Sequence, residues 1–411
     1  MNDPPAAQPR PVATGGEEPH APLAMVVLLG ALTAFGAIST DFYLPALPAL
    51  ARSLSASASE AELTLAVFFL GTAAGQLVYG PLADRVGRRG PLLVGVALYT
   101  VASVGCAFAP SIEALTALRL LQGLGGCAGM VLARAIVRDR FPPQETAHVF
   151  SMLMLVMGVA PILAPLAGAA ILTVAAWPVL FWVLAVFGAI CWIASALSLK
   201  ESLPPETRAM ARAESPFRSY AALLSQPRLV GYMLYGSLNT AALFTYLTTS
   251  ADLFISSFHL SPQAFSWLFG LNAAGLIAAT QLNRRLLRRY GYDQILVGAN
   301  AFGIASAAAL ALVALTGLGG VFGVAAPLFM VVAGLGLNQA NTLAGALAVD
   351  PRRAGSTSAL MGASQFGLGA VASAVASAFH DGTARPMGLV IAGCLLLAGA
   401  ALHRLVRPGK A

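Results

Sequence analysis

The chain has 411 residues, of which 58% are apolar and 10% charged, and its mean hydropathy is +0.77. A soluble domain carries roughly 25% charged residues, so water cannot be the only solvent here. The formal charge of +7 resides in small arginine clusters between apolar segments, with no basic face interleaved with aromatics; this excludes a nucleic-acid partner and reads as membrane topology.

Residues 1–22 are rich in Pro, Ala and Gly without an apolar run, and are expected to form a disordered cytoplasmic tail. They lack the features of a cleaved signal peptide, so the first apolar segment is expected to be retained. A window of about 20 apolar residues places spans near 23–50, 62–83, 91–109, 113–135, 147–172 and 176–198. Spans resume near 229–256, 263–284, 293–316, 320–343, 355–379 and 386–405, twelve in all. The cysteines Cys106, Cys127, Cys191 and Cys394 lie inside these runs without C-x-x-C spacing, so neither a metal nor a disulfide is expected.

The polar stretch 199–228 divides the spans six and six and reads as a cytoplasmic linker between an N-terminal bundle, 23–198, and a C-terminal bundle, 229–405, followed by a tail, 406–411. With the N-terminus in the cytoplasm, nearly all Arg and Lys fall on the cytoplasmic side, leaving only Arg52 and Arg385 opposite. Both termini are therefore expected inside. Gly71-Thr-Ala-Ala-Gly75 and Leu271-Asn-Ala-Ala-Gly275 each precede a basic turn, as a duplicated six-helix unit requires.

Three places carry chemistry. Span 1 holds Asp41, within Thr40-Asp-Phe-Tyr43-Leu-Pro45-Ala-Leu-Pro48, and span 4 holds Arg119-Leu-Leu-Gln122-Gly123. At 1.5 Å per residue both charges lie at similar depth, roughly 14 and 12 Å from the outer surface, so an ion pair is geometrically open to them. Desolvation disfavours a carboxylate's charge while a nearby arginine favours it, a balance suited to a proton carrier. The bland alternatives are a cap at a proline kink for Asp41 and a snorkelling side chain for Arg119. Span 5 holds Gly158, Pro161, Pro165 and Gly168 on one helical stripe, where prolines bend the helix and glycines admit a neighbour.

The loop after span 2 reads Gly80-Pro-Leu-Ala-Asp84-Arg85-Val-Gly87-Arg88-Arg89, with Gly80 and Gly87 read as allowing close helix approach and a tight turn. This stretch resembles the signature loop of the major facilitator superfamily. The Arg119–Gly123 pattern is similar to one in its proton-coupled drug exporters. Ala164-Pro165-Leu-Ala-Gly168 resembles their antiporter motif, with Ala in place of the first Gly. With Thr40–Pro48 and Leu132–Phe141, the closest resemblance is to the Bcr/CflA branch, strongest over residues 23–200.

The resemblance implies an all-α membrane protein with twelve transmembrane helices in two pseudo-symmetric six-helix bundles, the major facilitator fold. It implies a non-enzymatic, proton-coupled antiporter that expels small, partly apolar drugs of bicyclomycin or phenicol type from a bacterial inner membrane. No cofactor is expected beyond the proton gradient. The partners are drug, proton and lipid bilayer, and the chain is expected to be a monomer. The loop motif acts as a conformational latch. An importer or symporter of a small metabolite on the same fold is the alternative, and a membrane-embedded enzyme or sensor lacks its motifs. Tyr43, Gln122, Asn239, Tyr246 and Asn341 are the cavity candidates; Asn239 and Asn341 serve equally as hydrogen bonds between helices. Asp252, near the outer end of span 7, reads as interfacial.

Overall fold

The computed structural model describes residues 23–204, 208–209 and 215–406, and among these the regular structure is helical. The expected tail 1–22 and most of the expected tail 406–411 lie outside the described residues. Among the described residues ten helices are long and apolar enough to cross a membrane, and a bent pair, Leu23–Thr33 with Phe35–Ser53, makes an eleventh. Pro227–Ala251 has the length of a twelfth. It misses the apolar criterion because it carries Ser237, Asn239, Thr240, Thr245, Thr248, Thr249 and Ser250. Most of these are buried, and Thr245, Thr248 and Thr249 return their hydroxyls to carbonyls one turn back. A helix enclosed by protein need not be apolar.

Span 1 is broken where the sequence reading drew one helix over 23–50. Helices Leu23–Thr33 and Phe35–Asp41 meet at Ala34, where the span bends by 49°; a 3₁₀ turn, Leu44–Ala46, and a last helix, Leu47–Ser53, follow a second break. Pro45 and Pro48 supply no backbone donor, so the ladder cannot run through them. This second break is buried and begins next to Asp41, the final residue of its helix segment.

Spans 2 to 6 are Ala58–Val86, Arg89–Ala107, Ile112–Arg140, Pro143–Ile171 and Pro178–Ser198. An amphipathic helix, Pro216–Leu224, precedes span 7, Pro227–Ala251. Spans 8 and 9 are Pro262–Leu286 and Tyr292–Thr316; span 10 runs as Gly320–Leu335 and Gln339–Val349; spans 11 and 12 are Ala354–Ala378 and Arg385–Ala401. Pro161 and Pro165 lie inside an unbroken span 5, so the expected bend is not accompanied by a break. The two sets of spans meet along two seams, span 2 against span 11 and span 5 against span 8.

Candidate functional site

Arg119 is fully buried, and among the described residues no carboxylate pairs with it. Its Nη1 donates to the Ser39 carbonyl at 3.2 Å and to Gln122 Oε1 at 2.6 Å, one helical turn on. Gln122 Nε2 then donates to Ser103 Oγ at 2.7 Å, and Ser39 Oγ shares a 2.7 Å hydrogen bond with Tyr99 Oη. The guanidinium carbon lies 4.3, 4.9 and 5.9 Å from the ring centres of Phe68, Tyr43 and Phe181. Aromatic faces attract a cation most when it is desolvated. They do not accept every donor: Arg119 Nε and Nη2 are buried without a hydrogen-bond partner.

Asp41 is buried on the adjacent span, and its Oδ1 accepts from Thr40 Oγ1 at 2.9 Å. The open pairing of Asp41 with Arg119 is therefore not made in this conformation; the arginine reaches the backbone two residues earlier. Asp41 lies within electrostatic reach of Tyr246 on span 7. Tyr246 Oη accepts from Asn272 Nδ2 at 2.9 Å, and its ring stacks on Phe269. Among the cavity candidates, Tyr43 Oη shares a 3.0 Å hydrogen bond with Thr64. Tyr43 and Gln122 thus gather around Arg119, and Tyr246 stands near Asp41.

Asn239 and Asn341 lie elsewhere, in saturated bonds between helices. Asn338 Nδ2 donates to Asn239 Oδ1 at 2.8 Å, and Asn239 Nδ2 returns to the Tyr235 carbonyl at 2.8 Å. Asn341 Nδ2 donates to Asn283 Oδ1 at 2.7 Å. Between the halves, Phe69 of span 2 stacks on Phe244 of span 7 with centres 3.9 Å apart, and Phe366 of span 11 completes the cluster.

The span-5 stripe sits at one seam. A Cβ on Gly168 would fall 2.2 Å from the Phe42 carbonyl oxygen, so only glycine lets span 5 close on the break in span 1. The Pro165 carbonyl accepts from Ser266 Oγ of span 8 at 3.1 Å, which ties the stripe across to the other half. Gly158 is looser, with Ile277 at 3.7 Å from an added Cβ. Pro161 occupies the turn between them.

The loop motif forms a clasp of charges. Arg88 is buried and bonds both Asp84, four residues back, and Asp139 of span 4, the latter from Nε at 2.8 Å. Glu201, just past span 6, accepts from the Arg88 and Arg89 backbone amides at 2.8 and 3.2 Å. Gly87 has φ of +113°, and an added Cβ would meet the Glu201 carboxylate at 2.4 Å; its turn admits no side chain on either count. Arg208 Nε donates to the Arg85 carbonyl, bringing the linker onto the loop. Gly80 has no neighbour within 4 Å of an added Cβ, so the close approach expected there is absent.

Sequence reasoning missed Glu201 and Glu62. Glu201 is the first acidic residue after span 6; Glu62 is a charge at the very start of an apolar run. Asp252, expected at the interface, is buried instead.

Residues 27–374 match the family model of the Major Facilitator Superfamily. The chain belongs to this superfamily. It is a transporter rather than an enzyme. It is 36% identical over 372 residues to a Bacillus subtilis protein named uncharacterized MFS-type transporter YdgK, covering 90% of this chain and 92% of that one. It is 29% identical to a Haemophilus influenzae bicyclomycin resistance protein homolog, over 92% of this chain and 95% of the relative. A Pseudomonas aeruginosa chloramphenicol resistance protein is 31% identical, over 91% and 88% of the two chains. Among solved structures, a peptide transporter in complex with sulfate superposes with a TM-score of 0.74 at 16% identity, covering 94% of each chain, and supports the fold.

Proposed function

We propose that this facilitator is a proton-coupled antiporter that exports small, partly apolar drugs of the bicyclomycin or phenicol kind across the bacterial cytoplasmic membrane by alternating access. The observation that carries the reading is Arg119: a buried cation with two unpartnered donors, one helix away from a buried carboxylate at a broken span. A charge in that setting is costly and persists where a moving partner uses it. Asp41 takes the role of proton carrier. Arg119 senses its charge by exchanging the Ser39 carbonyl for the carboxylate. The relatives named for bicyclomycin and chloramphenicol resistance support the substrate class.

Tyr43, Gln122 and Tyr246 are proposed to face the transported molecule, with the Phe69–Phe244–Phe366 cluster as its apolar surface. Asn239 and Asn341 are proposed to hold the second half together rather than to touch substrate. The units that rock are 23–198 and 229–405, joined by 199–228, with both termini cytoplasmic and the chain acting as a monomer. Gly80, Asp84, Arg85, Gly87 and Arg88, together with Glu201, form the latch between states. Gly158, Pro161, Pro165 and Gly168 form the sliding seam.

The test is a resistance panel in cells lacking their own efflux pumps, repeated with an uncoupler. The expected result is resistance to one of these drug classes that disappears when the proton gradient collapses. Resistance that survives the uncoupler, or uptake of a metabolite with no resistance, contradicts it.

A further inference from the structure

One group of ionisable side chains lies outside the Asp41–Arg119 region and bridges the two halves. Glu62 opens span 2, Asp252 follows span 7, and His380 follows span 11, all at the end of the molecule opposite the arginine-rich turns. His380 Nδ1 is 3.7 Å from Glu62 Oε1, and its Nε2 is 3.4 Å from Asp252 Oδ2. The nearby Ser59 Oγ donates to the Ser377 carbonyl at 2.6 Å, so the contact between spans 2 and 11 is closed here.

A neutral imidazole has one N–H and one lone pair. With a carboxylate on each side, one of its nitrogens would turn a lone pair toward negative oxygen. Both faces are satisfied when the ring carries a second proton, or when one acid keeps its own. The closed arrangement therefore holds at least one proton more than two carboxylates and a neutral ring would.

Glu62 makes this binding consequential. Its side chain is 1% exposed and neither oxygen accepts a hydrogen bond. The Ser377 hydroxyl lies beside it but off hydrogen-bond geometry. A buried carboxylate without hydrogen bonds, facing a second carboxylate, is strongly disfavoured unless a cation or proton joins it. His380 is 25% exposed and borders a small cavity of about 10 Å³ shared with Thr249, Ser257 and Thr383, room for about one water. A proton can thus reach the ring from the outer surface while Glu62 stays enclosed.

The other charges nearby do not replace it. Asp381 lies within electrostatic reach of both His380 and Arg385, and Arg385 is exposed. Arg52 and Glu60 point to solvent from the neighbouring turn and the start of span 2, and His259 is exposed beyond Asp252.

We propose that Glu62, His380 and Asp252 form a proton-binding site that holds the outer end of the seam between the halves closed, and that losing this proton opens it. The inference deepens the antiport reading, since proton uptake from outside would then accompany closure of the outward-open state. Its geometry does not depend on Asp41.

The test places spin labels at Ser55→Cys and Gln263→Cys, both exposed and on opposite halves at the outer end; the four native cysteines are buried. Distances are measured on the purified chain in nanodiscs across pH 5 to 9, with EDTA present so that only protons titrate. One coupled proton changes the closed-to-open ratio by up to about tenfold per pH unit. The expected result is a closed distance at low pH that gives way to a longer one as pH rises. Glu62→Gln is expected to stay closed throughout, and Asp41→Asn to keep a closed distance at low pH that still lengthens as pH rises. A flat wild-type response, or a Glu62→Gln variant with the wild-type slope, overturns the proposal. So does a slope lost in Asp41→Asn but kept in Glu62→Gln, which would assign the proton to Asp41. If Glu62→Gln does not fold, His380→Gln carries the test: loss or displacement of the slope supports the site, and an unchanged slope overturns it.

Discussion

Arg119 and Asp41 sit on neighbouring spans at the break in span 1, yet the arginine bonds the Ser39 carbonyl at 3.2 Å rather than the carboxylate two residues further on. The cation is held by one peptide oxygen, one amide oxygen and three aromatic faces, with two donors idle. Such an arrangement is poor as a structural brace. A buried cation with unmet donors carries a desolvation cost that its contacts do not offset, so its removal need not weaken the fold. Arg119→Met is therefore expected to keep or raise the melting temperature in detergent while abolishing drug resistance. A variant that loses stability and activity together would assign Arg119 to structure.

The seam between span 5 and span 1 gives a second expectation. An added methyl at Gly168 has no room before the Phe42 carbonyl. Overpacking of this kind costs about 1–3 kcal/mol, and here it acts on the segment that carries Asp41. Gly168→Ala should lower export more than Gly158→Ala, whose nearest neighbour is at ordinary contact distance. Resistance titres of the two variants at matched membrane abundance make the comparison.

Breaking the clasp should be costly in one specific way. Arg88 is buried between Asp84 and Asp139, and removing one partner of a buried pair costs up to about 3–5 kcal/mol. Asp139→Asn leaves Asp84 in place, so the lower end applies. A fall in melting temperature of the purified protein checks it.

Glu201 supplies a pH dependence outside the spans. Burial pushes its carboxyl up, but the amides of Leu203, Arg88, Arg89 and Ser202 outweigh that and hold it below the usual carboxylate range. A depressed folded value means the carboxylate contributes stability above its unfolded pKa, and that contribution is lost as pH falls through the folded value. Acidification through and below the usual carboxylate range should loosen the loop between spans 2 and 3, seen as faster amide exchange at Arg88 and Arg89. Glu201→Gln should show the looser loop at neutral pH and lose most of the acid response.

Much of the fold was legible because membrane burial writes itself into long apolar runs and arginine placement. The exceptions have physical causes. Span 7 is polar because protein surrounds it, with Ser237 and Thr248 bonding Ser364 and Ser373 of span 11. Span 1 breaks because Pro45 and Pro48 fall close together, a pattern that marks a kink without revealing its depth. Asp41, Arg119 and the loop motif were found as charges or glycines out of place. Depth alone put Asp41 and Arg119 within reach of each other, but could not say that Arg119 would choose Ser39. Phe68 and Phe181 were hidden because an aromatic beside a cation looks like any other packed ring. Glu62 was hidden at the edge of its run, where a charge normally means only that a span has begun.

Export of drug in exchange for protons carried by Asp41 can be read on the purified protein. Purified protein in liposomes loaded with a pH-sensitive dye, given an outward drug gradient, tests it most directly. Wild-type protein should move protons against the drug, and Asp41→Asn should move none. Drug flux without proton flux in the wild type, or wild-type exchange in Asp41→Asn, would contradict the account.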